Sequence, residues 1–493
     1  IGDCISVTTP CSSVQYAVNL AADPGDEVRV ATGTYTENLV ITRGLSLRGG
    51  WDISFSVQSP VSYPATLDGS SEHVISAAVE TDSALIEGFS VRNGRDGIHL
   101  YSGALTVTNN VVYSMSKQGV EVTTGTVWVA NNTISSTAEE GISVNGGTGV
   151  VAGNLVYDTG IDGIHTGADC ASVEIRGNTV YSTASDGIDG RGQSVVIVSN
   201  TTYDVGKDGV HIEDVGTAVV QYNTVYSTAD RGIYARDGAP IIAGNIVHDT
   251  SLDGIRTHSD CTDVTVHGNT VSSATDDCIE ARGTTVTVTS NVVSGCADNG
   301  VKAEKADQAF INANQVYGAA GAGVNLDDAG VFTVTNNIVA SCSEASVLVD
   351  TAANPSSFIY HNTLVGSAIG QQATGISITV PGITITLVNN IVVSHTVGIT
   401  DAAGATLIVN KTLLWGNGSD PITGTGIITG APLFVAPAVQ DYHVISSSPA
   451  VDAGIEVGVP TDVDGDPRIS PPDVGADEFV RKLFLPLVLK NSP

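Results

Sequence analysis

Short runs of alternating apolar and polar residues recur along most of the chain, as in VEVTTGTVWVA (120–130) and VVIVS (195–199). Alternation at period two predicts half-buried strands and not amphipathic helices. Between the runs one phrase returns, approximately N-x-V-x-x-T-x-x-D-G-I. Its asparagines stand at 110, 132, 154, 178, 200, 223, 245, 269, 291, 314, 337, 362 and 390, mostly 22 to 24 residues apart and widening to 25 and 28 at the end. Glycines keep step at 97, 119, 141, 163, 187, 209, 232 and 254, then at 300 and 323, with Cys278 in the intervening place. A fixed period in this range predicts a solenoid.

About fifteen coils of two or three short strands would stack at the strand spacing of about 4.8 Å. Equivalent residues then lie on one another, so inward asparagines can pair their amides along a ladder. The glycine after aspartate is expected to supply the positive φ of a tight corner. A longer repeat overlies the short one. AGNLVYDTGIDGIHTGADC (152–170) matches AGNIVHDTSLDGIRTHSDC (243–261) at an offset of 91 residues, which indicates duplication of a four-coil block. The N-terminal run SSVQYAVNLAA (12–22) differs: Val14, Ala17, Val18 and Ala21 share a helical face after capping serines, predicting a short helix over the open end of the stack. The expected organisation is a cap with first coils at 1–50, coils at 51–420, a small β-module at 421–478 and an apolar, basic tail at 479–493.

Composition narrows the functional classes. The 493 residues carry a formal charge of −32, and aromatics make up 5 %. That balance argues against nucleic acid and anionic membranes as partners, since both would be repelled. No stretch approaches the roughly 20 apolar residues of a transmembrane segment. The chain starts at Ile1 and reads as a processed, exported protein, secreted or at the cell surface. Seven cysteines do not make a disulfide scaffold. Cys4 and Cys11 are close enough to staple the cap, whereas Cys170 and Cys261, four coils and about 19 Å apart, cannot reach each other. The pairing of Cys170, Cys261, Cys278, Cys296 and Cys342 otherwise stays open.

PGDEVRVATGTYTENLVI (24–41), LSLRGGWD (45–52) and the TVYSTASDGI-type coils resemble right-handed parallel β-helix proteins of the pectin-lyase-like superfamily, in particular secreted bacterial members with a C-terminal anchor-type module. That module would be APLFVAPAVQDYHVISSSPAVDAG (431–454) followed by TDVDGDPRISPPDVGADEF (461–479). The resemblance implies an all-β right-handed parallel β-helix. It does not select a function, because the superfamily holds lyases, hydrolases, epimerases, adhesins and inert fibres.

Chemistry would sit on one outward face. The residue after each corner Ile or Val points away from the interior, giving the column His99, Glu121, Ser143, His165, Asp189, His211, Tyr234, Arg256, Glu280, Lys302. Two residues on lie Arg191, Glu213, Arg236, His258, Arg282 and Glu304. From about 160 to 305 this strip mixes both signs of charge. It suits an extended sugar chain, with His165, Asp189, Arg191, His211, Arg236, Arg256, His258, Glu280, Arg282 and Lys302 as binding candidates. It also suits a solvated face whose stacked charges cancel. Asp162, Asp186 and Asp208, one coil apart, repel unless corner amides or a cation offset them.

DDC at 276–278 is part of the signature of polygalacturonase-type hydrolases. By that resemblance Asp276 is the acid candidate, with Asp253 and Asp277 assisting. The departures are Arg256 in place of an aspartate, no Gly-His-Gly loop, and V-K-A at 301–303 in place of an R-I-K clamp. Lyase or epimerase chemistry would draw on Arg191, His211, Arg236, Arg256, His258 or Lys302. No cofactor is required by either scheme. Ca²⁺ could be chelated by Asp462, Asp464 and Asp466 of TDVDGDP, which otherwise form a plain turn. The tail offers Leu483, Phe484, Leu485, Leu487, Val488 and Leu489 for contact with its own module or with another subunit. The leading expectation is an extracellular structural or adhesive β-helix at the cell surface that can polymerise into fibres through this tail. The alternative is an enzyme or binding module for acidic polysaccharide acting on the 160–305 face.

Overall fold

The computed structural model describes residues 3–21, 23–350, 356–366, 373–401 and 404–480. The tail contact residues named above, Leu483 to Leu489, lie outside them. The chain divides into two compact units between Gln308 and Ala309.

The first unit opens with the helix Val14–Leu20, which buries Val14 and Val18. Ser13 caps it, its side chain accepting from the Tyr16 amide. The Glu37 carboxylate accepts from the Val14 and Gln15 amides at 3.0 and 2.9 Å, satisfying two more helix-terminal donors. Cys4 and Cys11 are joined by a disulfide in the segment leading into this helix.

Parallel coils follow. A long bent strand, such as Ile164–Arg176, alternates with a short one, such as Thr179–Thr183, and each pairs in parallel with its counterpart one coil on. The corner aliphatics Ile98, Val120, Ile142, Ile164, Ile188, Val210, Ile233, Ile255, Ile279 and Val301 stack into a fully buried column. Each contributes about 1.5–3 kcal/mol by burial.

The asparagines do form ladders, from Asn110 to Asn291 in the first unit and from Asn314 to Asn390 in the second. At Asn154 the backbone and side-chain amides both donate to Asn178 Oδ1, at 2.8 and 2.9 Å, and Nδ2 also donates to the Val129 carbonyl at 2.9 Å. The buried amide thereby meets its hydrogen-bonding capacity inside an otherwise apolar coil.

The corner glycines have a different cause from the one expected. None from Gly97 to Gly254 adopts positive φ. A Cβ at Gly163 would come within 2.1 Å of Val180 Cγ1 and 2.7 Å of the Gly187 carbonyl oxygen, so close approach of neighbouring coils demands glycine. The left-handed conformation falls instead on the residue before each ladder asparagine, as at Asn131, Gly153, Ser199 and Gly268, and again four residues after it, as at Ser136 and Asp158. The first precedes the short strand and the second is its next-to-last residue, as Ser136 is in Thr133–Thr137. Gly, Asn and Asp tolerate this region, and serine is held in it at other coils. Cys278 occupies a corner place by bonding to Cys296, at a Cα separation of 5.4 Å. Cys170, Cys261 and Cys342 are free and buried.

The aspartates before the corners make a second ladder. Asp162 Oδ1 accepts from the Asp186 amide, Asp186 Oδ1 from the Asp208 amide, and Asp208 Oδ1 from the Arg231 amide, each at 2.9 Å. Asp277 Oδ1 accepts both the backbone and side-chain N–H of Asn299 at 2.8 Å. Burial nevertheless pushes Asp162, Asp208 and Asp277 up to about 6. The corner amides offset only part of the desolvation.

The second unit has the same coil plan. Its C-terminal segment carries the two-stranded antiparallel pair Phe434–Ala436 and Asp441–Val444. Tyr442, Val444, Ala450, Val474 and Ala476 pack on Ile338, Val365, Ile391 and Leu413 of the coils. Arg468 is buried there, donating to Asn336 Oδ1 at 2.8 Å and to the Gly475 carbonyl at 2.9 Å, beside Glu478 at 3.3 Å.

Two predictions follow from the ladders. Asn200→Ala strips the acceptor from the Asn178 amides and should cost roughly 3 kcal/mol or more by stranding buried donors, read as a lower urea midpoint. The folded chain holds the Asp208 proton up to about pH 6, whereas an unfolded chain releases it near pH 4, so stability from this group is full below about pH 4 and lost as pH rises through about 6. Asp208→Asn keeps an acceptor oxygen and removes the charge. It should raise the melting temperature at neutral pH and leave it nearly unchanged in acid.

Candidate functional site

The outward column is in unbroken register. His99 pairs with Glu121, Glu121 with Ser143, Ser143 with His165, His165 with Asp189, Asp189 with His211, His211 with Tyr234, Tyr234 with Arg256, Arg256 with Glu280 and Glu280 with Lys302. The expectation of a freely solvated strip is corrected: Asp189 and Glu280 are each only 3 % exposed. Pointing away from the interior is not the same as reaching water, because long charged neighbours one coil away cover the short ones.

The candidate binding residues form two charged groups along this strip. In the first, His165 Nδ1 lies 2.9 Å from Asp189 Oδ2, and Arg191 Nε lies 3.1 Å from the same oxygen. Arg191 also reaches Glu213 at 3.4 Å, and Arg236 contacts Glu213. His211 faces Asp186 at 3.4 Å. Burial would lower both histidines, but Asp189 beside His165 and Asp186 beside His211 outweigh it and raise them. His258 stands apart from the others, paired with exposed Asp260 at 3.3 Å.

The second group is denser. Arg256 contacts Asp253 at 3.1 Å and Glu280 at 2.9 Å. Arg282 Nε donates to Glu280 at 3.0 Å, and Arg282 Nη2 to Glu304 at 2.7 Å. Lys302 lies 2.9 Å from Glu304 and 3.9 Å from Glu280. Three cations thus converge on Glu280. Its pKa is raised, first by burial and then by the hydrogen bond shared with Glu304, against the pull of Arg256 and Arg282. Glu304 is held low because its hydrogen bonds to Glu280 and Lys302 outweigh burial. Burial would lower Arg256 and Lys302, yet their carboxylate neighbours keep both raised and charged.

The three catalytic candidates adjoin this group. Asp253, Asp276 and Asp277 each present a carboxylate oxygen within 4.8 Å of the others. Asp253 and Asp277 are buried, Asp276 half-buried. Burial raises Asp253 and lifts Asp277 to about 6. Three oxygens so placed could hold a hard cation, but Arg256 already stands at Asp253. Arg231 was not foreseen. It occupies an aspartate-ladder place, 3.7 Å from Asp208 and 3.6 Å from Asp253, and its guanidinium lies over the Tyr234 ring at 4.4 Å. The RG at 231–232 in place of DG was the available signal.

The alternate aspartates of TDVDGDP do not converge. Asp462 is buried and accepts the Asp464, Asp466 and Glu478 amides at 3.0, 2.8 and 3.0 Å. Asp464 instead meets His443 Nε2 at 2.8 Å. A carboxylate saturated by backbone amides is a turn-former, so this segment takes the plain-turn alternative.

Solved structures with this architecture include an alginate lyase from Paenibacillus sp. str. FPU-7, 20 % identical, covering 51 % of this chain and 97 % of its own, at TM-score 0.42. The Azotobacter vinelandii mannuronan C-5 epimerase AlgE4 A-module is 14 % identical over 84 % of this chain and 94 % of its own, at TM-score 0.30. The pectate lyase Pel9A is 13 % identical over 96 % and 92 %, at TM-score 0.25. At these identities the likeness is one of fold alone. No curated protein matches the sequence. The model of the right-handed β-helix region matches residues 75–207, 140–285, 208–369 and 260–414, and the chain belongs to that family.

Proposed function

We propose that the face formed by Asp253, Arg256, Asp276, Asp277, Glu280, Arg282, Lys302 and Glu304 binds an acidic polysaccharide and hydrolyses it. The observation that carries this reading is the convergence of Arg256, Arg282 and Lys302 on one buried carboxyl, Glu280, whose pKa is raised. When Glu280 is protonated the three cations lose one counter-charge, while Arg256 keeps its contact with Asp253 and Arg282 and Lys302 keep theirs with Glu304. A sugar carboxylate then replaces the lost counter-charge, and the Arg forks suit it.

The type of chemistry follows from which groups titrate. Lys302 and Arg256 stay charged, so neither supplies a base. The groups poised near neutrality are carboxyls, Asp277 at about 6 and Glu280 above its ordinary range. Carboxyl pairs of differing proton affinity suit glycosidic hydrolysis, one giving a proton to the leaving oxygen and another activating water. Asp277 or Glu280 would be the acid, and the more open Asp276 the base.

The test is a panel of uronate polymers assayed for new reducing ends and for unsaturated products. Reducing ends without unsaturation are expected, with Asp276→Asn and Glu280→Gln each lowering kcat/KM about 10²-fold or more. Activity should fall as pH rises above about 6, where Asp277 loses its proton. Arg282→Ala should raise KM more than it lowers kcat. Unsaturated products would replace hydrolysis by elimination. Absence of both cleavage and retention on every polymer would leave a self-neutralised structural surface and end the polysaccharide reading.

A further inference from the structure

A second cluster lies at the other end of the same outward column, on early coils of the first unit. His73 Nδ1 and His99 Nδ1 face each other at 3.3 Å. Asp96 Oδ2 lies 2.6 Å from His73 Nδ1 and 4.0 Å from His99 Nδ1, and Glu121 Oε2 lies 3.0 Å from His99 Nδ1. One ligand atom from each of these four residues falls within 4.8 Å of the others. Asp96 is fully buried and His99 is 5 % exposed. Asp96 Oδ2 and Glu121 Oε2 are shielded from water yet have no hydrogen-bond partner of proper geometry. The half-buried Arg95 reaches Asp96 Oδ2 only at 3.7 Å.

The other ring nitrogens are held. His73 Nε2 meets the Tyr101 hydroxyl at 3.0 Å and His99 Nε2 the Thr123 hydroxyl at 2.9 Å. The His99 and Tyr101 rings stack with centroids 4.0 Å apart. In the tautomer in which each Nε2–H donates outward, both Nδ1 lone pairs point at the same space as the two carboxylate oxygens, and four lone pairs so directed suit a cation among them. Asp96 Oδ1 is separately engaged by the Gln118 amide at 3.2 Å, which fixes the carboxylate plane.

We propose that His73, Asp96, His99 and Glu121 bind one divalent transition-metal ion of the zinc class, in a closed four-ligand site with Tyr101 and Thr123 as its supporting shell. Two neutral imidazoles and two carboxylates neutralise the ion's charge. Imidazole donors select zinc-like ions over Ca²⁺, which takes oxygen ligands in larger number. The fixed Nε2 partners match the outer shell that orients metal-binding histidines. The remaining His-containing groups are built differently. At His443 both ring nitrogens face carboxylates, Asp441 at 2.6 Å and Asp464 at 2.8 Å, as an imidazolium requires. In the groups around His165 and His211 the carboxylates already have arginine or backbone partners.

The test uses the full chain, stripped with a chelator and titrated with Zn²⁺ by calorimetry, with Co²⁺ as a spectroscopic probe. One equivalent of Zn²⁺ is expected, Co²⁺ should give the absorption of a four-coordinate site, and Ca²⁺ should not compete. Zn²⁺ should raise the melting temperature. His99→Ala and the near-isosteric Glu121→Gln should abolish or sharply weaken binding, while Tyr101→Phe weakens it about 10-fold. His443→Ala should leave it unchanged. Absence of stoichiometric Zn²⁺ binding overturns the proposal. So does binding that survives both His99→Ala and Glu121→Gln in chains whose circular dichroism shows them folded.

Discussion

Everything in this molecule depends on one repeated hydrogen bond, from the backbone and side-chain amides of a ladder asparagine to the side-chain oxygen of the next. Within each unit it holds the coils at strand spacing and in register, so each side chain meets its own counterpart one coil away. That rule has no sign preference. It stacks Tyr157, Tyr181, Tyr203, Tyr226 and His248 with centroids 5.0 to 5.1 Å apart and planes nearly parallel. It stacks Asp162, Asp186 and Asp208 just as strictly, although like carboxylates gain nothing from each other. The aspartates are tolerated because each takes the next corner amide, and the raised pKa values of Asp162 and Asp208 measure what remains uncompensated there.

The same rule explains what sequence reasoning reached. Period, ladder, N-terminal helix and the ten-residue outward column are one-dimensional properties, and counting from the ladder asparagines yields the correct partner at every step from His99 to Lys302. Asp253, Asp276 and Asp277 converge for the same reason: they are equivalent or adjacent corner places. Other features escaped because they depend on distances that counting does not supply. The corner glycines were assigned to backbone conformation, whereas the coil spacing leaves no room for a Cβ. One alternative read the strip as solvated, whereas His165 and Arg191 cover Asp189, and Arg256, Arg282 and Lys302 cover Glu280. His73 stands two residues before Ile75, the place that Asp96 holds one coil on, and so belongs to the aspartate column and not to the histidine column.

The interesting chemistry gathers where the repeat is broken. Arg231 replaces a ladder aspartate, Asn299 replaces another, and Cys278 replaces a corner glycine; all border the group around Asp253, Asp277 and Glu280. A ladder of identical residues sums to a uniform environment, and proton affinities along it differ little. A departure puts unlike groups at contact distance in a buried setting, where a charge difference has a large effect. Glu280 illustrates the result: Arg256, Arg282 and Lys302 converge on it, and Arg282 and Lys302 also hold Glu304. The disulfide at Cys278 secures the corner that carries Asp277, where a side chain has been admitted to a glycine's place. Conversely, the cluster at His73, Asp96, His99 and Glu121 lies where the early coils are irregular and no aspartate continues the ladder at Gln118. In a stacked fold of this kind, a residue's type says little about function until it is compared with the residue that the repeat would have put there.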